Sequence, residues 1–156
     1  MKRFDQNKKT YFLLIAVFLI ANFGLGQIIN WHFKSYTIKD GVYSVSIKAA
    51  IAKSWHIYSQ VSHEDGPTPT KITFNSNPLI RLEGKVIEKG KKIKHFEEVF
   101  DFDVEYYEDS VEFSQLVRFN AKQKFKTNIT GTVEYMLCTN GKCLSPAKEN
   151  FSIALQ

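Results

Sequence analysis

Apolar and polar residues alternate with a period of two along much of this chain. Tyr43, Val45, Ile47 and Ala49 fall on one side of an extended backbone, and Ser44, Ser46 and Lys48 on the other. Val111, Phe113, Val117 and Phe119 repeat the pattern, with Gln115 breaking the apolar row. Ile72 with Phe74, Ile80 with Leu82, and Phe151 with Ile153 and Leu155 give shorter versions. Successive side chains of a strand point to opposite faces, so this alternation marks half-buried strands. Turn chemistry separates them at Asp40-Gly41, Gly66-Pro67, Asn77-Pro78, Lys89-Gly90 and Asn140-Gly141. No long stretch follows a helical period and no repeat is present. The pattern predicts an all-β, immunoglobulin-like antiparallel β-sandwich of about seven to nine strands.

The first 26 residues break with this pattern. Lys2, Arg3, Lys8 and Lys9 form a basic start, Tyr11 to Ala21 a short apolar run, and Gly24-Leu25-Gly26 a small-residue site. That order is a signal peptide cut after Gly26, which leaves residues 27–156 as one domain. The apolar run falls short of the ~20 residues that a membrane span needs. The address is therefore exported, periplasmic in a bacterium, where disulfides form and persist. The leader also changes the charge. Four of the 21 basic residues and one of the 16 acids lie in it, so net +5 becomes 17 against 15. A near-neutral domain makes no case for nucleic-acid binding.

Two charge runs stand out. Residues 85–94 carry five lysines and one acid, Glu88, whereas residues 97–112 carry eight acids and no base. The plain reading is a solvated hairpin whose two arms offset each other. Within the acidic run, Phe100 and Phe102 are odd for a solvent loop, and such an aromatic could cover something on the sandwich surface.

The chemistry rests on Cys138 and Cys143, the chain's 2 cysteines, flanking Asn140-Gly141. Asn-Gly accepts positive φ cheaply and favours a tight hairpin, so the two sulfurs face each other across its mouth at disulfide range. Closing so short a loop stabilises by only about 2 kcal/mol. That is a weak staple for a domain long enough to fold on its own core, while an exposed hairpin disulfide is readily reduced. The residues by themselves leave staple and redox pair open. His32, His56, His63 and His95 are scattered, so no metal-ligand spacing is formed, and no cofactor motif is present.

Four segments resemble the N-terminal, periplasmic domain of the thiol:disulfide interchange protein DsbD, the disulfide bond corrector family. They are the turn from Cys138 to Cys143 with Leu144-Ser145-Pro146, the aromatic stretch Trp55-His56-Ile57-Tyr58-Ser59, the loop-to-strand segment Gly66-Pro67-Thr68-Pro69-Thr70-Lys71-Ile72, and Glu98-Val99-Phe100-Asp101. The resemblance spans most of residues 30–156 and implies a redox hairpin beneath a cap loop. It implies that Cys143 forms the mixed disulfide with a partner and Cys138 resolves it. Phe100 is then the cap aromatic, Glu98 the acid beside it, and His56 and Tyr58 take the two active-site aromatic positions. His56 departs from the family's usual tyrosine, the cysteine spacing is one residue shorter, and Ser145-Pro146 replaces Pro-Pro. The implied partners are thioredoxin-fold exported proteins and a membrane-embedded electron donor, with a role extending to cytochrome c biogenesis. Acids near the cap keep the cysteine pKa values from falling, so the pair stays a slow nucleophile until a partner displaces the cap. With one sandwich and no transmembrane or thioredoxin-like domain after it, the expectation is that this chain either obtains electrons from a separate membrane protein or has lost the relay role.

Overall fold

In the computed structural model, residues 27–98, 100–120 and 126–155 are described, and the predicted leader lies outside them. Among these residues there are strands and no helix. The chain runs through β1 (Ile29–Lys39), β2 (Val42–Ile51), β3 (His56–Tyr58), β4 (Lys71–Phe74) and β5 (Ile80–Glu97). It continues through β6 (Phe102–Phe119), β7 (Thr127–Tyr135), β8 (Leu137–Thr139), β9 (Lys142–Cys143) and β10 (Ala147–Leu155). Two antiparallel sheets result, one in the order β1-β2-β6-β3-β8-β9 with β5 on the other side of β6, the other in the order β10-β7-β4. This is the expected immunoglobulin-like sandwich. Its core gathers Val45, Ile47, Val111, Phe113 and Val117 from the larger sheet against Ile129, Val133, Phe151, Ile153 and Leu155 from the smaller.

The alternation read from the sequence sets most of this register. Tyr43 faces Val117 and Ile47 faces Phe113 across β2 and β6, so two apolar rows meet on one face. Gln115 interrupts its row because its side chain has another task. It is buried, and its Nε2 donates to the Glu83 carbonyl at 2.9 Å, beside the bulge where β5 loses register between Glu83 and Ile87. That amide satisfies a carbonyl the ladder leaves free.

Three expectations change. Lys89-Gly90 is no turn: it lies inside β5, which runs unbroken for 18 residues. Glycine relieves a close approach there, since a Cβ would sit 3.1 Å from both the Ser110 carbonyl and the Tyr107 ring. Leu82 pairs with Val117 yet is 45% exposed, since three strands cannot cover the whole of a seven-stranded sheet. And among the described residues the strands number ten, because the cysteine segment makes two short ones of its own. Those two arise from a change of layer. β7 belongs to the smaller sheet, the chain crosses at Met136, and β8 joins the larger one beside β3.

Candidate functional site

The cysteine hairpin forms where the sequence places it, although neither Asn140 nor Gly141 takes the positive φ expected of an Asn-Gly turn. Asn140-Gly141 forms the turn, Cys138 faces Cys143, and Thr139 faces Lys142. Thr139 Oγ1 accepts hydrogen bonds from the amides of Gly141 and Lys142, at 3.3 and 3.2 Å, which ties the turn to its own stem. The Leu144 amide donates to the Leu137 carbonyl at 2.8 Å, closing the base. Cys138 and Cys143 are joined by a disulfide with their Cα atoms 4.0 Å apart. The two sulfur-bearing residues differ sharply in access. Cys138 is 0% exposed, whereas Cys143 lies on the exposed outer arm.

Cys138 is buried in a cluster separate from the main core. Tyr58 of β3 and Val104 and Tyr106 of β6 pack with it, and Ile93, Phe100, Phe102 and Met136 close the rim. Three of the residues expected at the site from sequence therefore meet here: Cys138, Tyr58 and Phe100. His56 is a fourth. It pairs with Cys138 across β3 and β8, and its ring lies 4.3 Å from Tyr106 and 5.3 Å from Tyr58. Phe100 reaches the cluster from the β5–β6 turn, where the amides of Phe100 and Asp101 both donate to the Glu97 carbonyl. Its ring stacks on Phe102 at 5.8 Å.

Glu98 stands exposed on that turn. Its neighbour Glu97 is the acid whose charge reaches the buried rings of His56, Tyr58 and Tyr106. Burial, with a smaller push from Glu97, raises the Tyr58 phenol to about 12. Burial lowers the His56 imidazole below its ordinary value, with Glu97 opposing the shift and His95 adding to it. Sequence reading noted Phe102 only as one of two odd aromatics in the acidic run, took Glu97 only as one of that run's charges, and passed over Tyr106. The period-two row Phe102, Val104, Tyr106 was the available signal for two of them.

Behind the cluster a polar knot fixes β3. The Glu88 carboxylate accepts from Ser59 Oγ at 2.9 Å, the Gln60 amide at 2.6 Å and Tyr107 OH at 2.8 Å, and pairs with Lys92 at 3.1 Å. Lys92 also meets Glu105, and Lys94 meets Asp103, so the basic and acidic runs do offset each other across one hairpin. On the outer side, Tyr58, Val61, His63, Pro67, Phe102 and Val104 line an open groove of about 470 Å³ beside the β5–β6 turn.

The model of the family described as thiol:disulfide interchange protein DsbD, N-terminal, matches residues 30–155. The chain belongs to this family. Solved DsbD N-terminal domains share its fold at low identity. The reduced Neisseria meningitidis domain is 13% identical with a TM-score of 0.51, covering 80% of this chain and 85% of that one. The same organism's domain in complex with the PilB N-terminal domain gives 13% and 0.54, covering 85% and 87%. The N-terminal periplasmic domain of ScsB from Proteus mirabilis gives 14% and 0.50, covering 81% of this chain and 44% of that one. No match is found among curated proteins. For a DsbD N-terminal domain, a cysteine pair bonded at the tip of one hairpin is an arrangement suited to thiol–disulfide exchange.

Proposed function

We propose that this chain is an exported thiol:disulfide interchange module that passes electrons through Cys138 and Cys143 to thioredoxin-fold proteins. The observation that carries the reading is the unequal burial of the pair. One sulfur-bearing residue is open to a partner, while the other lies beneath aromatic rings that include Phe100. In loading, a donor thiolate attacks Cys143 Sγ, the Cys138–Cys143 bond breaks, and Cys138 leaves with the electron pair and gains a proton. A second donor thiolate then attacks the donor sulfur of the mixed disulfide and releases Cys143, so the domain gains two electrons and two protons while the donor becomes a disulfide. Delivery runs the same steps backwards against an oxidised partner.

Phe100 acts as the cap over the pair, with Glu98 on its outer side, and Tyr58 and His56 form its floor. The likeness to a DsbD N-terminal domain solved in complex with another protein domain supports a protein partner for this chain. The donor is membrane-embedded, residues 1–26 are a leader removed after Gly26, and the compartment is the periplasm, consistent with the family and with the leader's order of residues.

A trapping experiment tests this. Reduced Cys138→Ser protein, mixed with an oxidised thioredoxin-fold protein, is expected to form a covalent adduct through Cys143 that dithiothreitol releases. Cys143→Ser should form none. A wild-type reduction potential below about −300 mV together with no adduct would sink the proposal, because such a disulfide resists exchange.

A further inference from the structure

We propose, resting on the redox reading above, that His56 is the proton acceptor for Cys138, freeing the buried sulfur that resolves the mixed disulfide. The need for such a group follows from burial. Cys138 is 0% exposed, so no bulk water reaches its thiol, and an apolar surround opposes the thiolate. Yet only the thiolate attacks a disulfide. A resolving sulfur placed there needs a base within the cluster.

His56 has the position. It is the register partner of Cys138, and paired residues on an antiparallel ladder share a face with Cβ atoms about 5 Å apart. Its ring is held between Tyr106 and Tyr58, both of which pack with Cys138. It also has the free valence. His56 is 3% exposed, and its buried Nε2 has no hydrogen-bond partner among the described residues. Buried polar atoms are nearly always paired, and an orphan beside a reactive group calls for a reason.

The groups around it leave the role to His56. Tyr58 from its own strand is pushed up to about 12, and Tyr106 from β6 is pushed up as well, both chiefly by burial, so neither phenol takes or gives a proton near neutrality. Glu97 and His95 act from the end of β5, the first favouring an imidazolium and the second opposing it. Burial lowers the imidazole's pKa and so favours its neutral form, which is the form that accepts. Glu97 then steadies the charge once the proton arrives.

The step balances. Once Cys143 is bonded to the partner, the Cys138 S–H gives its proton to His56 Nε2. The sulfur attacks Cys143 Sγ, the Cys138–Cys143 bond forms, and the bond to the partner breaks. The partner sulfur leaves with the electron pair and takes a proton from the imidazolium. The partner is reduced by two electrons and the domain returns to its disulfide.

The experiment uses 5,5′-dithiobis(2-nitrobenzoate) and the reduced domain. Release of the first thionitrobenzoate reports attack by Cys143, and release of the second reports resolution by Cys138. His56→Gln should leave the first release unchanged and slow the second about 100-fold at pH 6, a usual size for a lost general base. The gap should close as pH rises into the thiol range. Equal second-release profiles in the two proteins would overturn the role of His56 and leave the redox reading standing. Absence of the first release would overturn both. Should His56→Gln fail to fold, ring-nitrogen NMR of the wild type decides. His56 should titrate at a lower pH in the dithiol form, because the Cys138 S–H donates to its neutral nitrogen. Identical midpoints in the two redox forms would overturn the proposal.

Discussion

Phe100 is half-buried on a turn of its own hairpin, and it covers the cluster by side-chain contact. Its hold is modest, since partial burial of one aromatic is worth about 1–2 kcal/mol. In a reduced Cys143→Ser background, Phe100→Ala should therefore leave the fold intact and raise iodoacetamide alkylation of Cys138, the sulfur it covers, about tenfold, the rate equivalent of some 1.4 kcal/mol. Unchanged alkylation would mean that the ring shields nothing. The residues here were unequally legible in sequence. Cys138, Cys143 and the Asn140-Gly141 turn declare themselves by position, although the turn is held by Thr139 and the disulfide and not by positive φ. The exposure of Cys143 and the burial of Cys138 do not, because they depend on β3 and β6 arriving from distant sequence. Glu98 drew the eye as the acid next to the aromatic run, yet the field at the buried rings comes from Glu97, whose place is set by where β5 ends.

At the scale of the elements, the short strand β3 matters most. It has 3 residues, all buried, wedged between β6 and β8. So brief a strand cannot hold its place through its own ladder, and Glu88 on β5 supplies the clamp through Ser59 and Gln60. Burial pushes the Glu88 carboxyl up, but donors from Gln60, Tyr107, Ser59 and Lys92 together outweigh it and hold the group below its ordinary value. The native state then binds fewer protons than the unfolded chain, so this stability is complete above about 4.5 and is lost as pH falls through the lowered value. Glu88→Gln should cost about 2–3 kcal/mol in urea melts at pH 7, as for a severed charged hydrogen-bond set, with the gap to wild type narrowing below pH 4.5. An equal gap at both pH values would exclude the charged clamp. The charge runs foretold the hairpin but not the clamp. Glu88 reads as one acid among lysines until Tyr107 and Ser59 are brought beside it.

For the whole molecule, the core joins residues of both sheets and does not rely on the cysteine bond. A protein with Cys138→Ala and Cys143→Ala should stay folded and lose only about 2 kcal/mol, the entropy of so short a loop. A cooperative thermal melt with native-like circular dichroism checks this, and outright unfolding would make the disulfide a structural staple. The sandwich itself was readable because its strands alternate cleanly. The change of layer at Met136 was not, because Thr132 to Leu137 is rich in β-branched and aromatic residues and reads as one strand.

That crossing has a mechanical consequence. The reactive hairpin grows from the tip of β7 and β10 in one sheet and is laced by hydrogen bonds into the other, so it behaves as a rivet through both plates. A partner bonded to Cys143 pulls on the whole body of the protein and not on a slack loop. Under the proposed exchange the sulfur is a fixed terminal, held through the pairing of β9 with β8 and of β8 with β3. Evolution can then tune the cover that Phe100 forms without disturbing the hairpin beneath it.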